Sequence, residues 1–143
     1  MYLFFIYLMI FFSSLGLSFS QENKGCQEKT TKELKKEKIG IIIYSNDPET
    51  VWNAFRLADY SQEEGDTVSV FLLGKGVEAP EINNPDFNIN EKMNSFLEKA
   101  GKILACGTCL NLRKTKGKAN LCTVSSLSDL YDIIKQSDKL LTF

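Results

Sequence analysis

Apolar residues along this chain alternate between two patterns: short β-branched runs, and longer stretches in which they recur every three or four positions. IGIIIY over 39–44 is apolar at nearly every position, as expected of a strand covered on both faces in a parallel sheet. It stops at Ser45-Asn46-Asp47-Pro48. Asp47 is suited to cap the helix that follows, Pro48 to fill its first position, and Glu49 to complement its dipole. That helix is expected to run to about 64, with Val51, Ala54, Phe55 and Ala58 on its apolar stripe, Leu57 beside them, and Gly65 as a left-handed stop. Trp52 lies off the stripe, where it covers either a subunit contact or a neighbouring helix. A second β-rich run, TVSVFLL over 67–73, completes a βαβ unit.

The next stretch, 74–90, holds Pro80, Pro85, two glycines and four asparagines without periodicity, and reads as a long loop after the carboxyl end of a strand. A helix over 91–100 follows, with Met93, Phe96, Leu97 and Ala100 on one face and Gly101 as its stop. Further strands are expected at 102–105, 121–124 and 138–143, with a short helix over 110–116 between the first two. Ser126 and Asp129 form a capping box for a last helix whose inner face is Leu127, Leu130, Tyr131 and Ile134. Strands alternating with helices in this way define a single-domain α/β fold, a five-stranded, mostly parallel sheet flanked by helices over 38–143.

Two segments precede that domain. Residues 1–20 form an apolar run that ends on Ser18 and Ser20, the small-residue pattern of an export signal cleaved by a signal peptidase. The run lacks an amino-terminal Lys or Arg, and its 18 apolar-rich residues approach the length of a membrane span, so an uncleaved anchor is the competing reading. Either way the expected location is periplasmic or secreted, with membrane contact only if the leader is retained. Residues 21–37 are dominated by Lys and Glu and read as a charged, solvated tether, a short helix around Leu34 being the alternative. Cys26 in this tether lacks the preceding apolar residues of a lipid-modified cysteine.

Composition narrows the chemistry. The 143 residues carry 17 Lys and Arg against 18 Asp and Glu, a net charge of −1, which removes the electrostatic footprint of a nucleic-acid binder. Histidine is absent, which excludes Ser-His-Asp and Cys-His catalysis and every metal site built on imidazole. Gly74-Lys75-Gly76 has neither the spacing nor the Lys-Ser/Thr ending of a phosphate loop, and no helix is expected to follow it at once. No cofactor and no metal are called for.

Four cysteines remain. Cys106-Gly107-Thr108-Cys109 directly follows a strand, where α/β sheets gather their reactive groups. Unpaired N–H groups at a helix start, with Arg113 and Lys114 two turns along, favour the thiolate form of Cys106, the expected nucleophile. Cys109 lies one helical turn away on the same side and is the expected resolving thiol. Gly107, Thr108 and Arg113 support the pair. Ser45, Asn46 and Asp47 either line the same cleft or serve only as turn and cap. The competing roles for the pair are core filling, a structural disulfide, and a zinc site that would have to draw in Cys26 and Cys122. Cys122, in LCTV, fits core filling best.

SNDPETVWNAFRLA, GDTVSVFLLGKGVE, ILACGTCLNLR and the closing SDKLLTF resemble the DsrE/DsrF-like family of small sulfur-handling proteins over 38–143. The resemblance implies a five-stranded α/β sandwich assembled into trimers or hexamers. It also implies that Cys106 carries sulfur as a persulfide passed between donor and acceptor proteins. The chain departs from the family at Arg113-Lys114, where Arg-Gly is common, and in its apparent export. Three classes stay open: a sulfur carrier or sulfurtransferase-like protein, a thiol-disulfide oxidoreductase, and a non-catalytic oligomeric binding module with a CGTC disulfide.

Overall fold

The β-branched run at the start of the domain forms an interior strand of the sheet in the computed structural model, which describes residues 35–116 and 120–143. The expected leader lies outside the described residues, as do Cys26 and the tether before Lys35. β1 (Lys38–Ile43) pairs with β2 (Thr67–Leu72) on one side and with β5 (Lys139–Thr142) on the other. β3 (Lys102–Cys106) and β4 (Thr123–Ser125) extend the sheet beyond β2, giving the order β4-β3-β2-β1-β5 with every pair parallel. Ile41 and Ile43 are fully buried because β1 is flanked on both edges and covered on both faces.

Chain direction places the helices. α1 (Pro48–Glu63) and α2 (Ile89–Glu98) sit in crossovers that advance from β1 towards β3, so right-handedness puts both on one face, where Phe55 and Phe96 meet edge to face at 6.3 Å. Phe55, Phe71 and Phe96 are fully buried, each worth about 2–3 kcal/mol of apolar burial. α4 (Leu127–Gln136) crosses back from β4 to β5 and therefore covers the opposite face. It lies close over Gly40, where an added Cβ would come within 2.9 Å of Ile133 and 2.6 Å of Ser137.

The caps form as their residues predict. The Asp47 carboxylate accepts from the Thr50 N–H at 2.8 Å, and Ser126 and Asp129 complete the capping box of α4. Gly65 takes the left-handed conformation at φ 97°.

Several boundaries and faces differ from expectation. The stretch after β2 is not a loop throughout: a 3-10 helix, Gly74–Glu81, begins at once, and α2 starts at Ile89. Gly76 permits this, since an added Cβ would lie 2.0 Å from the Ile43 carbonyl oxygen, a backbone approach that only glycine tolerates. Ala100 is exposed rather than on the inner face of α2, and it makes the left-handed turn itself at φ 64°. α3 (Gly107–Arg113) begins three residues earlier than expected, directly after the strand. Cys122 is buried, just before β4 rather than within it.

The largest difference concerns α4. Of the expected inner face only Leu130 is buried, joined by Ile133, while Leu127 (65%), Tyr131 (61%) and Ile134 (41%) are exposed. The apolar stripe is wider than the ridge that a single helix can seat over Gly40.

Candidate functional site

β3 delivers the CGTC segment to the carboxyl edge of the sheet. Cys106 ends the strand and at φ −60°, ψ 111° is also the N-cap of α3, so its Sγ stands where a capping oxygen would and accepts from the Cys109 N–H at 3.4 Å. Only 3% of Cys106 is exposed, whereas Cys109 is half-buried. Both are free thiols. Gly107 packs towards β4, where a Cβ would meet Val124 Cγ1 at 3.2 Å, and Thr108 is exposed.

The second sulfur has its own amide donor. The N–H of Gly74, the first residue of the 3-10 helix after β2, donates to Cys109 Sγ at 3.3 Å. The same glycine, at φ 56°, presents its carbonyl to Arg113, whose Nε donates to it at 2.9 Å. Arg113 Nη1 then pairs with Glu78 Oε1 at 2.9 Å, and the Asn46 amide donates to Glu78 Oε2 at 2.8 Å. Three segments are thereby tied together: the turn after β1, the 3-10 helix after β2 and the last turn of α3. At about 30% exposure for each side chain the ion pair contributes under about 1 kcal/mol, so its consequence is positional.

Electrostatics follow this geometry. Burial, and then hydrogen bonding with the Cys106 sulfur, push the Cys109 thiol up, while the Gly74 N–H and the Arg113 charge pull it back. Hydrogen bonds from Arg113 and then Asn46 hold the Glu78 carboxyl below its ordinary value.

The sequence-predicted residues are thus partly assembled. Cys106, Gly107, Thr108, Cys109 and Arg113 stand together, although Arg113 is directed at Gly74 and Glu78, with its charge acting on Cys109. Lys114 is a left-handed C-cap at φ 54°. Asn46 joins the cluster through Glu78, whereas Ser45 and Asp47 serve the turn and cap, Ser45 Oγ accepting from the Asp47 N–H at 3.1 Å. Glu78 is not among the expected site residues, and Gly74 enters the sequence reading only within Gly74-Lys75-Gly76, with no role at the thiols. The only sequence signal for them was a glycine-rich stretch after a strand, which identifies no partner. Trp52 is partly buried against Phe87, at 5.5 Å between ring centroids, with the Arg56 guanidinium 4.4 Å over its ring.

A separate cavity of about 360 Å³ lies between α4 and the amino ends of the strands, lined by Lys38, Ser69, Lys102, Asp129 and Asp132, at the opposite end of the sheet from the thiols. Among the described residues no group of His, Cys, Asp or Glu can hold a metal ion, and no helix is long and apolar enough to cross a membrane.

The model of the DsrE/DsrF-like family matches residues 37–143, all of the sheet and every element of the site. The chain belongs to the DsrE/DsrF-like family. Its fold is similar to the crystal structure of the ychN protein from E. coli, with a TM-score of 0.66 and 20% identity, covering 76% of this chain and 100% of that one. It is also similar to BT1422, a conserved protein of unknown function from Bacteroides thetaiotaomicron, with a TM-score of 0.63 and 22% identity, covering 75% and 95% of the two chains. No curated protein matches the chain significantly. Membership of the DsrE/DsrF-like family is consistent with a sulfur-related role.

Proposed function

We propose that this DsrE/DsrF-like protein is an exported sulfur carrier in which Cys106 holds sulfane sulfur as a persulfide, with Cys109 as its partner thiol. The observation that carries this reading is the paired seating of two free thiols at the carboxyl edge, each sulfur accepting a backbone N–H. Amide donors aimed at sulfur favour its anionic forms, thiolate and persulfide alike, without a metal or a histidine. Sulfur enters when a thiolate attacks the outer sulfur of a donor persulfide and the donor thiolate departs. It leaves when an acceptor thiolate repeats that attack. Donor and acceptor are proteins or small thiols.

The assembly belongs to the same proposal. A homo-oligomer, trimer or hexamer, is supported by the exposed Leu127, Tyr131 and Ile134 of α4, a stripe that a lone chain leaves in water. Export is supported by the apolar 1–20 segment, and it would place the thiols in a periplasmic or extracellular setting.

Intact-mass analysis after incubation with polysulfide tests the carrier role. With Cys26 and Cys122 replaced by serine throughout, the expected result is added sulfur on the protein that keeps Cys106 and Cys109 and none on the C106S/C109S variant. A wild type that stays unmodified at every dose overturns the reading. Turnover in an insulin-reduction assay, without sulfur uptake, would make the protein a thiol-disulfide oxidoreductase instead.

A further inference from the structure

The geometry points to Cys109, not Cys106, as the thiol that first meets the sulfur donor, Cys106 being the inner station to which the sulfur then passes. This inference rests on the sulfur-carrier reading and assigns the order of events within it. Cys106 is 3% exposed, enclosed by β3, β4 and the first turn of α3, and its sulfur already occupies the N-cap position. Cys109 is half-buried, and its sulfur accepts from the Gly74 N–H across the carboxyl edge. A donor bulkier than a small anion reaches the half-buried sulfur before the enclosed one.

The chemistry balances without an oxidant. Cys109 attacks the outer sulfur of a donor persulfide R–S–SH, the donor S–S bond breaks, its electron pair leaves on R–S⁻, and the Cys109 proton ends there as R–SH. The product is Cys109–S–SH. The Cys106 thiolate then attacks the outer sulfur of that group, forming Cys106–S–SH and returning Cys109 to its thiolate. The second step needs the two thiols side by side, and the Cys109 N–H donating to Cys106 Sγ at 3.4 Å holds the two residues together within the first turn of α3. The Gly74 N–H that donates to Cys109 Sγ is positioned to stabilise the thiolate released in that step.

Glutathione persulfide serves as the bulky donor, and loading is followed by intact mass over time on wild type, C106S and C109S. C106S should gain one sulfur at the wild-type rate, whereas C109S should load at least about tenfold more slowly. A smaller difference, or failure of C106S to load while the wild type does, overturns the assignment. If the wild type itself takes up no sulfur, the carrier reading fails instead. Substoichiometric iodoacetamide labelling of the wild type, mapped by fragmentation, gives a readout independent of variant folding: Cys109 should be labelled before Cys106, and labelling of Cys106 before Cys109 overturns the order.

Discussion

The Cys109 sulfur sits between opposing influences: burial and Cys106 disfavour its thiolate, and the Gly74 amide and the Arg113 charge favour it. Arg113 acts on it twice, through its charge and by holding the Gly74 carbonyl so that the amide on the same residue stays aimed at the sulfur. Replacing Arg113 by Met should therefore shift the pH profile of Cys109 alkylation to higher pH and slow labelling severalfold near neutrality, as read by iodoacetamide kinetics. A profile unchanged from wild type would reduce the clasp to a surface ion pair. The motif spacing made Cys106 and Cys109 legible in the sequence, because a strand followed at once by C-x-x-C leaves few ways to arrange the two thiols. Glu78 and Gly74 were not legible. They lie 28 or more residues from CGTC, and nothing local to them marks a contact across that distance.

Among the elements, α4 is the most exposed to test. It is anchored at its start by Asp129, whose carboxylate accepts from the Ser125 hydroxyl, the Ser126 N–H and the Ser126 hydroxyl and is pulled from 3.8 to about 2. A carboxyl depressed in the folded state contributes stability that is present above its ordinary value near 4 and is lost as the pH falls through about 2. Urea unfolding between pH 5 and pH 2 should show the wild type losing midpoint in that window, with Asp129→Asn less stable at pH 5 and the gap closing as the acid protonates. A gap independent of pH would show that the carboxylate's charge contributes nothing there. The helices and strands themselves were readable because each carries its own period and its own caps: Asp47-Pro48, Gly65 and Ser126-x-x-Asp129 are local signals that survived folding unchanged. The 3-10 helix at Gly74–Glu81 was not, because what permits it is the approach of Gly76 to the Ile43 carbonyl, a contact with the end of a strand more than thirty residues earlier.

For the molecule as a whole, the uncovered stripe on α4 is the main unresolved surface. If the stripe is closed by further copies of the chain, a Leu127→Glu/Tyr131→Glu variant should run as a monomer in chromatography with light scattering while the wild type runs as a larger species. A monomeric wild type would remove the oligomer from the proposal. By itself the sequence determined the order of strands and helices, the parallel sheet and the strand-to-helix corner that bears the thiols, since apolar period, caps and motif spacing are properties of neighbours along the chain. Tertiary structure alone decided which side of α4 turns inward, which thiol remains within reach of solvent and which residues hold the Gly74 turn. Each of these depends on distances between segments far apart in the chain: the close fit of α4 over Gly40, the enclosure of Cys106 at the N-cap, and the bridge from Arg113 through Glu78 to Asn46.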